Sequence, residues 1–236
     1  MRTVLVTGSS RGLGLELVKQ HSEQGDTVYA TYRSLSSELE SVAARSGTVR
    51  LVEMDVSVGA SVREAAGRIP RNVSRLDIIY SSAGVYRFED EVPFSETDFD
   101  NALEIYDVNA LGFTRVMQAF LPQIGQGTMV CCISSDCASI QDAAAIDFTR
   151  AVRYPNYPYY MSKAAVNMAG CLVDGELRRK GAELVLIHPG WMKTDMGGPN
   201  AVVPVQESAS GIIAIATRDN PVSGRFVDYT GRVMEW

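Results

Sequence analysis

A tyrosine and a lysine four residues apart suggest acid–base chemistry. Tyr159 and Lys163 stand in the segment Y-Y-M-S-K-A-A, and on a helix side chains four positions apart share one face. A phenol with a reference pKa of about 10 is a poor acid–base catalyst at neutral pH, and a neighbouring ammonium favours its phenolate form. Because such pairs are common on helices, the meaning of this one depends on where the fold places it.

A glycine-rich turn near the start of the chain is suited to binding a pyrophosphate. The run T-G-S-S-R-G-L-G, residues 7–14, lies between a strand-like and a helix-like segment. Glycines let the backbone approach a ligand closely, and a helix N-terminus offers unpaired N–H groups and the positive end of its dipole. The spacing is G-x3-G-x-G, which differs from the long-chain dinucleotide fingerprint G-x-G-x-x-G.

The elements that must position these residues alternate between strand and helix patterns. Short β-branched runs predict strands at residues 3–7, 27–31, 49–54, 76–80, 128–133 and 183–187, and the run at 224–229 could supply a seventh. Helical spacing predicts helices at about 13–25, 59–69, 95–122, 157–180 and 205–217. The alternation implies βαβ units and a buried parallel sheet. We therefore predict a single α/β domain, residues 1–236, with a doubly wound Rossmann fold and a mostly parallel seven-stranded sheet.

Composition and charge limit the class of protein and its partners. The chain has 236 residues, 46% of them apolar and 21% charged, which is enough for one sizeable core. A net charge of −6 gives no general basic field for nucleic acid. The first apolar stretch, of about four residues, is too short for a signal peptide core or a membrane span. We expect a cytoplasmic protein without nucleic-acid or membrane partners, and we predict no metal site.

Together these motifs resemble the short-chain dehydrogenase/reductase family. The family's T-G-x3-G-x-G turn matches residues 7–14 at every fixed position, and its Y-x3-K pair falls between the predicted fifth and sixth strands. The segment H-P-G-W-x2-T-D-M-G-G-P at 188–199 and the run S-G-R-F-x-D-Y at 223–229 resemble its C-factor and Sniffer-like branch, which is carbonyl reductase-like.

The resemblance implies four catalytic residues. Tyr159 would be the general acid and base, tuned by Lys163, while Ser135, the second serine of an I-S-S segment, would orient the substrate carbonyl. Asn109, in D-V-N-A, would hold a water in the proton relay. Tyr160 competes with Tyr159, but its i,i+3 relation to Lys163 does not fit the motif. Hydride transfer would belong to the cofactor.

The resemblance also implies an NADP(H) site. Arg11 and Arg33 suit a 2′-phosphate, and no acidic residue follows the second strand to hold a ribose 2′-OH. Asp55 matches the family's adenine-contacting aspartate, although a turn or N-cap aspartate is the alternative. The predicted cofactor-binding residues are Gly8, Ser10, Arg11, Gly12, Leu13, Gly14, Arg33, Asp55, Val56, Ser82, Ala83, Gly84, Tyr159, Lys163, Pro189, Gly190 and Thr194. Of these, Thr194 would contact the nicotinamide carboxamide.

Two segments depart from the family pattern. The run S-S-A-G at 81–84 stands where the family usually has N-N-A-G, so serines must supply part of the hydrogen bonding there. Tyr159 lies 24 positions after Ser135, about twice the usual span, and we expect this longer loop to shape the pocket. The loop mixes charge and aromatic surface at Asp136, Gln141, Asp142, Asp147, Phe148, Arg150, Arg153, Tyr154, Tyr157 and Pro158.

The cysteines and histidines outside the motifs are interpreted as structural. Cysteines 131, 132, 137 and 171 lack C-x2-C spacing and lie in or beside apolar segments, so we predict reduced core thiols. Cys137 is the one of interest because it lies two residues after Ser135. We assign His188 a structural role, since the mechanism already has its acid.

The predicted function is reversible interconversion of a small or medium ketone or aldehyde and its alcohol, using NADP(H). Two other interpretations stay open: a cofactor-binding C-factor-like signalling protein with incidental turnover, and a dehydrogenase of a larger lipid or steroid alcohol. From the resemblance we also expect a homodimer or homotetramer that pairs through the long helices around Asn109 and Tyr159, with a monomer as the alternative.

Overall fold

A computed structural model describes residues 1–70, 73–100, 102–146, 154–218 and 224–236. Seven strands form one sheet in the order β3-β2-β1-β4-β5-β6-β7, and every pairing between them is parallel. The strands are β1 Thr3–Val6, β2 Thr27–Tyr32, β3 Val49–Glu53, β4 Ile78–Ser81, β5 Met129–Ile133, β6 Glu183–His188 and β7 Phe226–Asp228. The predicted doubly wound, seven-stranded fold is confirmed.

The helices flank the sheet on both faces. They are α1 Gly12–Glu23, α2 Ser37–Arg45, α3 Gly59–Arg68, α4 Ala102–Tyr106, α5 Gly112–Phe120, α6 Ile140–Ala144, α7 Tyr157–Arg179 and α8 Val205–Ala216. A π-helical turn, Asp107–Leu111, joins α4 to α5, and we call the whole segment 102–120 the α4–α5 helix. Short 3₁₀ turns at 88–90 and 94–96 precede it.

The predicted helix at 95–122 was wrong at its start, and α2 was not predicted. Residues 94–100 form a 3₁₀ turn and bends rather than α-helix. In α2, the Ser36 hydroxyl accepts the Leu39 N–H at 3.2 Å, and Glu38 and Glu40 complement the dipole at the first turn. These caps start a helix of nine residues that buries only two side chains. Two buried positions are too few to show a helical apolar period in the sequence.

Two apolar clusters lie on opposite faces of the sheet because side chains alternate along each strand. In β1, Leu5 faces the cluster covered by α3, α5 and α7, whereas Val4 and Val6 face the cluster covered by α1 and α8. Burial of each such side chain contributes roughly 1.5–3 kcal/mol. The sheet is therefore apolar on both faces, as the near-continuous apolar strands predicted.

The order of strands reverses between β1 and β4, which are neighbours in the sheet although β2 and β3 lie between them in sequence. In open α/β sheets a ligand binds at the carboxyl ends of the strands beside such a reversal. The glycine-rich turn follows β1 and the S-S-A-G segment continues from β4, so both lie at this position. No helix in the described parts of the chain is long and apolar enough to cross a membrane.

Candidate active site

The glycine-rich turn is packed against the segment after β4. A Cβ on Gly8, whose φ is +69°, would lie 2.8 Å from the Ala83 Cα, and one on Gly14 would lie 2.2 Å from the Gly8 carbonyl oxygen. The buried Thr7 hydroxyl accepts the N–H groups of Ser82 and Ala83, each at 3.0 Å. Only glycine fits these two positions. Gly8 allows the turn after β1 to pack against the segment after β4, and Gly14 allows α1 to pack against the turn itself.

The same turn opens the N-terminus of α1 toward a ligand. Arg11 is the N-cap residue, with no hydrogen bond from its side chain to the first turn, so helix N–H groups there stay available. Gly12 has a φ of +56°, and a Cβ added to it would lie 3.6 Å from the Thr194 methyl carbon. Unpaired N–H groups, the helix dipole and a surface without side chains fit a pyrophosphate between the β1 and β6 loops.

The two arginines predicted to bind a 2′-phosphate differ in their surroundings. Arg11 lies 3.5 Å from Asp195, and both side chains are mostly exposed, so this ion pair is weak. Arg33 is exposed just after β2 and forms no ion pair with the described residues. Near it, the Ser10 hydroxyl donates to the Ser34 carbonyl at 2.6 Å. A phosphate at the end of β2 would therefore meet the Arg33 guanidinium. That Arg33 binds the 2′-phosphate stays a prediction.

Three residues of the predicted cofactor set use their side chains within the protein. Leu13 and Val56 are buried in the two apolar clusters, so only their backbone can face a ligand. Asp55 Oδ1 accepts the Ser57 N–H at 2.9 Å and the Ser57 hydroxyl at 2.7 Å. Asp55 therefore forms a turn before α3, and Val58, not Asp55, is the N-cap residue of that helix. Adenine contact by Asp55 stays a prediction.

Capping by Asn156 places Tyr159 in the first turn of α7. The Asn156 side-chain oxygen accepts the Tyr159 N–H at 3.0 Å, and its amide nitrogen donates to the Arg87 carbonyl at 2.6 Å. One buried side chain thus starts the helix and joins it to the segment after β4. Asn156 was not among the predicted site residues, although an asparagine before a proline-containing helix start is a recognisable capping signal.

Tyr159 and Lys163 lie together at the carboxyl end of β5, as their spacing predicted. The Lys163 Nζ is 5.6 Å from the centroid of the Tyr159 ring and donates to the Ile133 carbonyl at 2.9 Å. The Tyr86 ring packs edge-on against Tyr159 at 4.8 Å between centroids. Both ionisable side chains are buried.

The expectation that Lys163 would lower the pKa of Tyr159 was wrong for this structure. Burial raises the pKa of Tyr159 well above its ordinary value, with Cys137 and Asp136 acting in the same direction and a Ser135 hydrogen bond opposing them. Burial also lowers the pKa of Lys163. The physical reason is that burial disfavours the charged form of each group, which raises the pKa of a phenol and lowers the pKa of an ammonium. Tyr159 therefore holds its proton at neutral pH.

Ser135 lies beside Tyr159 and is anchored by the residue that follows it. The Ser135 hydroxyl donates to Asp136 Oδ1 at 2.9 Å and accepts the Cys137 N–H at 3.2 Å. His188, at the end of β6, accepts the Asp136 N–H through Nδ1 at 2.9 Å. The assignment of His188 as structural agrees with this contact, because the imidazole holds the loop that carries Ser135.

Asn109 lies in the π-helical turn and is buried. Its Oδ1 accepts the Val85 N–H at 2.8 Å, and its Nδ2 donates to the Val85 carbonyl and to the Ser162 hydroxyl, each at 3.0 Å. A Cβ on Gly84 would lie 3.3 Å from Asn109 Oδ1 and 3.9 Å from Lys163 Nζ. Asn109 thus ties α7 to the segment after β4, as π turns at functional sites often do.

The segment after β6 completes the wall opposite the glycine-rich turn. The carbonyl oxygen of the buried Pro189 accepts a hydrogen bond from the Ser208 hydroxyl at 2.6 Å, and Gly190 has a φ of +78°. A Cβ on Gly190 would lie 3.0 Å from the Tyr229 ring. The Thr194 hydroxyl accepts the Gly197 N–H at 3.2 Å. These contacts hold the loop in place beside α1.

The loop after Ser135 is described only in part, and the four cysteines differ in exposure. Of the long loop after Ser135, residues 147–153, which include Asp147, Phe148, Arg150 and Arg153, lie outside the described residues. All four cysteines are free thiols, and Cys131 and Cys132 are buried, but Cys171 is exposed on α7, so its assignment to the core was wrong. The apolar residues on both sides of Cys171 in the sequence did not indicate that its side chain lies on the outer face of α7.

Known proteins are similar to this chain in sequence and in fold. A family model for short chain dehydrogenases matches residues 2–201. C-signal of Myxococcus xanthus is 37% identical over 164 residues, which cover 68% of this chain and 93% of that protein. An NADPH-bound carbonyl reductase from chicken fatty liver superposes with a TM-score of 0.88 at 29% identity, covering 100% of this chain and 99% of that one.

Carbonyl reductase Sniffer of D. melanogaster gives a TM-score of 0.87 at 25% identity, covering 100% of both chains. Together with C-signal, it confirms the resemblance to the C-factor and Sniffer-like branch. The family match covers most of the chain and includes the glycine-rich turn, Ser135, Tyr159 and Lys163. The chain belongs to the short chain dehydrogenase family.

Proposed function

We propose that this oxidoreductase interconverts a ketone or aldehyde and the corresponding alcohol using NADP(H). The observation that carries the proposal is the position of three side chains. Ser135, Tyr159 and Lys163 meet at the carboxyl ends of the central strands, where the glycine-rich turn also lies. Bound NADP(H) would supply or accept the hydride.

The chain's own residues would manage the oxygen and its proton. Tyr159, protonated because burial raises its pKa, would donate a proton to the carbonyl oxygen as hydride arrives. Ser135 would orient the same oxygen through its hydroxyl. Lys163, held by the Ile133 carbonyl, would stabilise the phenolate that remains after the proton has left.

In this proposal Asn109 supports proton return to Tyr159. Both polar atoms of its side chain are hydrogen-bonded to Val85 and Ser162. A relay water would therefore be held by the backbone at Asn109, where the π turn breaks the regular pattern of helix hydrogen bonds. The side chain would act by fixing the positions of α7 and of the segment after β4.

The cofactor assignment rests on charge and on a relative. Arg33 is an exposed cation just after β2 that forms no ion pair within the described ranges, and the sequence directly after that strand has no acidic residue. The similar carbonyl reductase from chicken fatty liver is described as NADPH-bound. The residues that would hold the pyrophosphate are the glycines at 8, 12 and 14 and the N-terminus of α1, whose geometry fits it.

A screen of NADPH oxidation over ketones and aldehydes tests this function. We expect NADPH to be consumed with at least one small or medium carbonyl compound, and NADH to be used less well. If no carbonyl compound accelerates NADPH oxidation although NADPH binds, the protein is not a carbonyl reductase.

The likeness to C-signal supports a second candidate, a cofactor-binding signalling protein whose turnover is incidental. That name describes the Myxococcus protein, and the identity of 37% extends over 164 residues. The two candidates differ in one respect. A signalling protein would keep its biological effect when Tyr159 loses its hydroxyl, whereas a reductase would not.

We also propose that two copies of this chain pair through the apolar helix surface. This surface consists of the exposed side chains Leu103, Leu111, Met161, Met168 and Leu172 on the neighbouring α4–α5 and α7 helices. Leu103 and Leu172 are 72% and 73% exposed. Large apolar side chains grouped on adjacent helices are typical of a protein interface.

A further inference from the structure

Asp136 places a negative charge directly beside the proposed reaction centre. Its Oδ1 accepts the Ser135 hydroxyl at 2.9 Å and the Cys137 N–H at 2.9 Å. Its Oδ2 accepts no hydrogen bond from the described residues, and its side chain is 58% exposed. One carboxylate oxygen is therefore fixed by the protein, and the other is open to a ligand.

The described part of the chain does not neutralise this charge. No Lys or Arg in those ranges forms an ion pair with Asp136, and its one ionisable cationic neighbour is His188, whose Nδ1 is 3.6 Å from Oδ1. That Nδ1 accepts the Asp136 N–H at 2.9 Å and so carries no proton. Burial also lowers the pKa of His188, which keeps the imidazole neutral.

We propose that Asp136 determines substrate specificity by selecting carbonyl compounds and alcohols that carry an ammonium group next to the reacting carbon. The inference rests on the proposed function, because it places the carbonyl oxygen at Ser135. Since the Ser135 hydroxyl is hydrogen-bonded to Asp136 Oδ1, a substituent one or two bonds from a carbonyl carbon oriented by Ser135 would lie within reach of the same carboxylate. An ammonium there makes a charge-assisted hydrogen bond, whereas a substrate carboxylate is repelled.

The same contact affects the proton of Ser135. A serine hydroxyl has a single proton, and here it is donated to Asp136 rather than to a substrate oxygen. An ammonium bound to Asp136 competes for the negative charge and weakens that bond. The Ser135 hydroxyl is then free to turn toward the carbonyl oxygen, so an amino ketone gains in turnover as well as in binding.

Three ketones of similar size separate these effects. 1-Amino-2-propanone is cationic, 2-butanone is its neutral counterpart of the same shape, and pyruvate is anionic. With NADPH at pH 7, we expect kcat/KM to be highest for the amino ketone and lowest for pyruvate. Asp136→Asn keeps the acceptor for Ser135 and Cys137 but removes the charge, so the ratio of kcat/KM for amino ketone to butanone falls about tenfold, as expected for one partly exposed ion pair.

Asp142→Asn is the matched control. Asp142 is an exposed acid in α6, six residues away, and its loss changes the net charge by the same amount. The ratio should stay at the value of the unmodified protein in this variant. An equal fall in both variants would show a general charge effect and overturn the proposal, as would a preference for pyruvate in the unmodified protein.

Binding separates this inference from the proposed function. The dissociation constants of 1-amino-2-propanol and 2-butanol are measured with and without NADPH, which cannot reduce either alcohol. Tighter binding of the amino alcohol, lost in Asp136→Asn, supports the inference even if no ketone turns over, an outcome that would refute only the proposed function. Turnover of butanone with equal affinity for both alcohols would overturn the inference and leave the function standing.

Discussion

Burial sets the protonation of the two residues at the centre of the site. The phenol of Tyr159 is kept protonated and the pKa of Lys163 is lowered, because neither charge is solvated. In the proposed function, a protonated phenol next to a serine hydroxyl would give its proton to a carbonyl oxygen during reduction. Oxidation of an alcohol requires Tyr159 to lose that proton first.

At the residue scale, we propose that Arg33 contributes most to the preference for NADP(H). We expect Arg33→Asp to weaken NADPH binding and to reduce the preference for NADPH over NADH by about tenfold or more, because a carboxylate repels the 2′-phosphate. Titration of both cofactors by fluorescence measures this. An unchanged ratio of the two affinities would show that Arg33 does not contact the phosphate, and equal affinities in the unmodified protein would refute the NADP(H) assignment.

His188 positions Ser135 through the backbone of Asp136. His188→Leu removes the acceptor for the Asp136 N–H, and we expect kcat/KM to fall about tenfold because a small displacement of the orienting hydroxyl is costly. His188→Asn places a side-chain oxygen near the position of Nδ1 and should retain most activity.

The pH profile of the same variants distinguishes positioning from packing. Protonation of Nδ1 prevents it from accepting the Asp136 N–H. Because burial lowers the pKa of His188, this loss occurs only below the ordinary value of 6.5. The unmodified protein should lose activity as the pH falls through that lowered pKa, and His188→Asn should lack this step. Identical acid limbs in both proteins would contradict the role of His188.

At the scale of elements, sequence periodicity predicted the sheet and most long helices. Period-two and buried apolar runs located all seven strands to within one or two residues, because each strand crosses the core. Periodicity failed where local hydrogen bonds decide the structure. Asn156 and Ser36 start helices because their polar side chains accept backbone N–H groups. A search for apolar periodicity does not detect such polar caps.

The sequence predicted which side chains come together in the candidate site, but not all of the hydrogen bonds and pKa shifts that they have there. Tyr159, Lys163 and Ser135 meet as expected, because the order of strands brings the ends of β5 and α7 together. The raised pKa of Tyr159 and the hydrogen bonds of the Asn109 side chain depend on burial and on partners distant in sequence. The π turn at Asn109 is likewise set by tertiary packing, for which spacing in the sequence gives no signal.

A buried polar network that links α1 to β4 affects stability. His21 Nδ1 lies 2.9 Å from Asp26 Oδ2, and His21 Nε2 lies 2.9 Å from the Tyr80 hydroxyl. Arg2 also faces Asp26, at 3.7 Å. Burial lowers the pKa of His21 despite the attraction of Asp26. The folded state therefore prefers a neutral imidazole, while the unfolded chain protonates it at its ordinary pKa.

We predict that the free energy of unfolding rises with pH up to about 6.5 and is lost as the pH falls below that value. The sign follows because the unfolded chain binds more protons than the folded one in this range. Urea unfolding between about pH 5 and 8 measures it. His21→Gln should reduce the slope, leaving the part due to His188, whose pKa is also lowered. A stability independent of pH in the unmodified protein would contradict the prediction.

At the scale of the whole molecule, strand order and exposed apolar surface separate two regions. The reversal between β1 and β4 places the proposed site at the carboxyl edge of the sheet. The apolar helix surface lies on the α4–α5 and α7 helices, whose inner faces hold Asn109, Tyr159 and Lys163. Pairing of two copies there would support the helices that carry the site.

Leu172→Glu tests the pairing. Leu172 is 73% exposed on α7, so a charge there should not disturb the monomer but should oppose burial between two copies. We expect light scattering at micromolar concentration to give a dimer or tetramer for the unmodified protein and a mass near 25.7 kDa for the variant. Val202→Glu, at a residue that is 66% exposed in the loop after β6, is the control and should remain an oligomer. A monomeric unmodified protein would refute the proposal.

The hydroxyl of Tyr159 tests the central claim most directly. Tyr159→Phe keeps the ring packed against Tyr86 but removes the transferable proton, so NADPH should still bind while kcat for a carbonyl substrate falls about 10²-fold or more. Tyr160→Phe should retain most activity. Normal turnover by Tyr159→Phe, or loss of activity in Tyr160→Phe instead, would contradict the account.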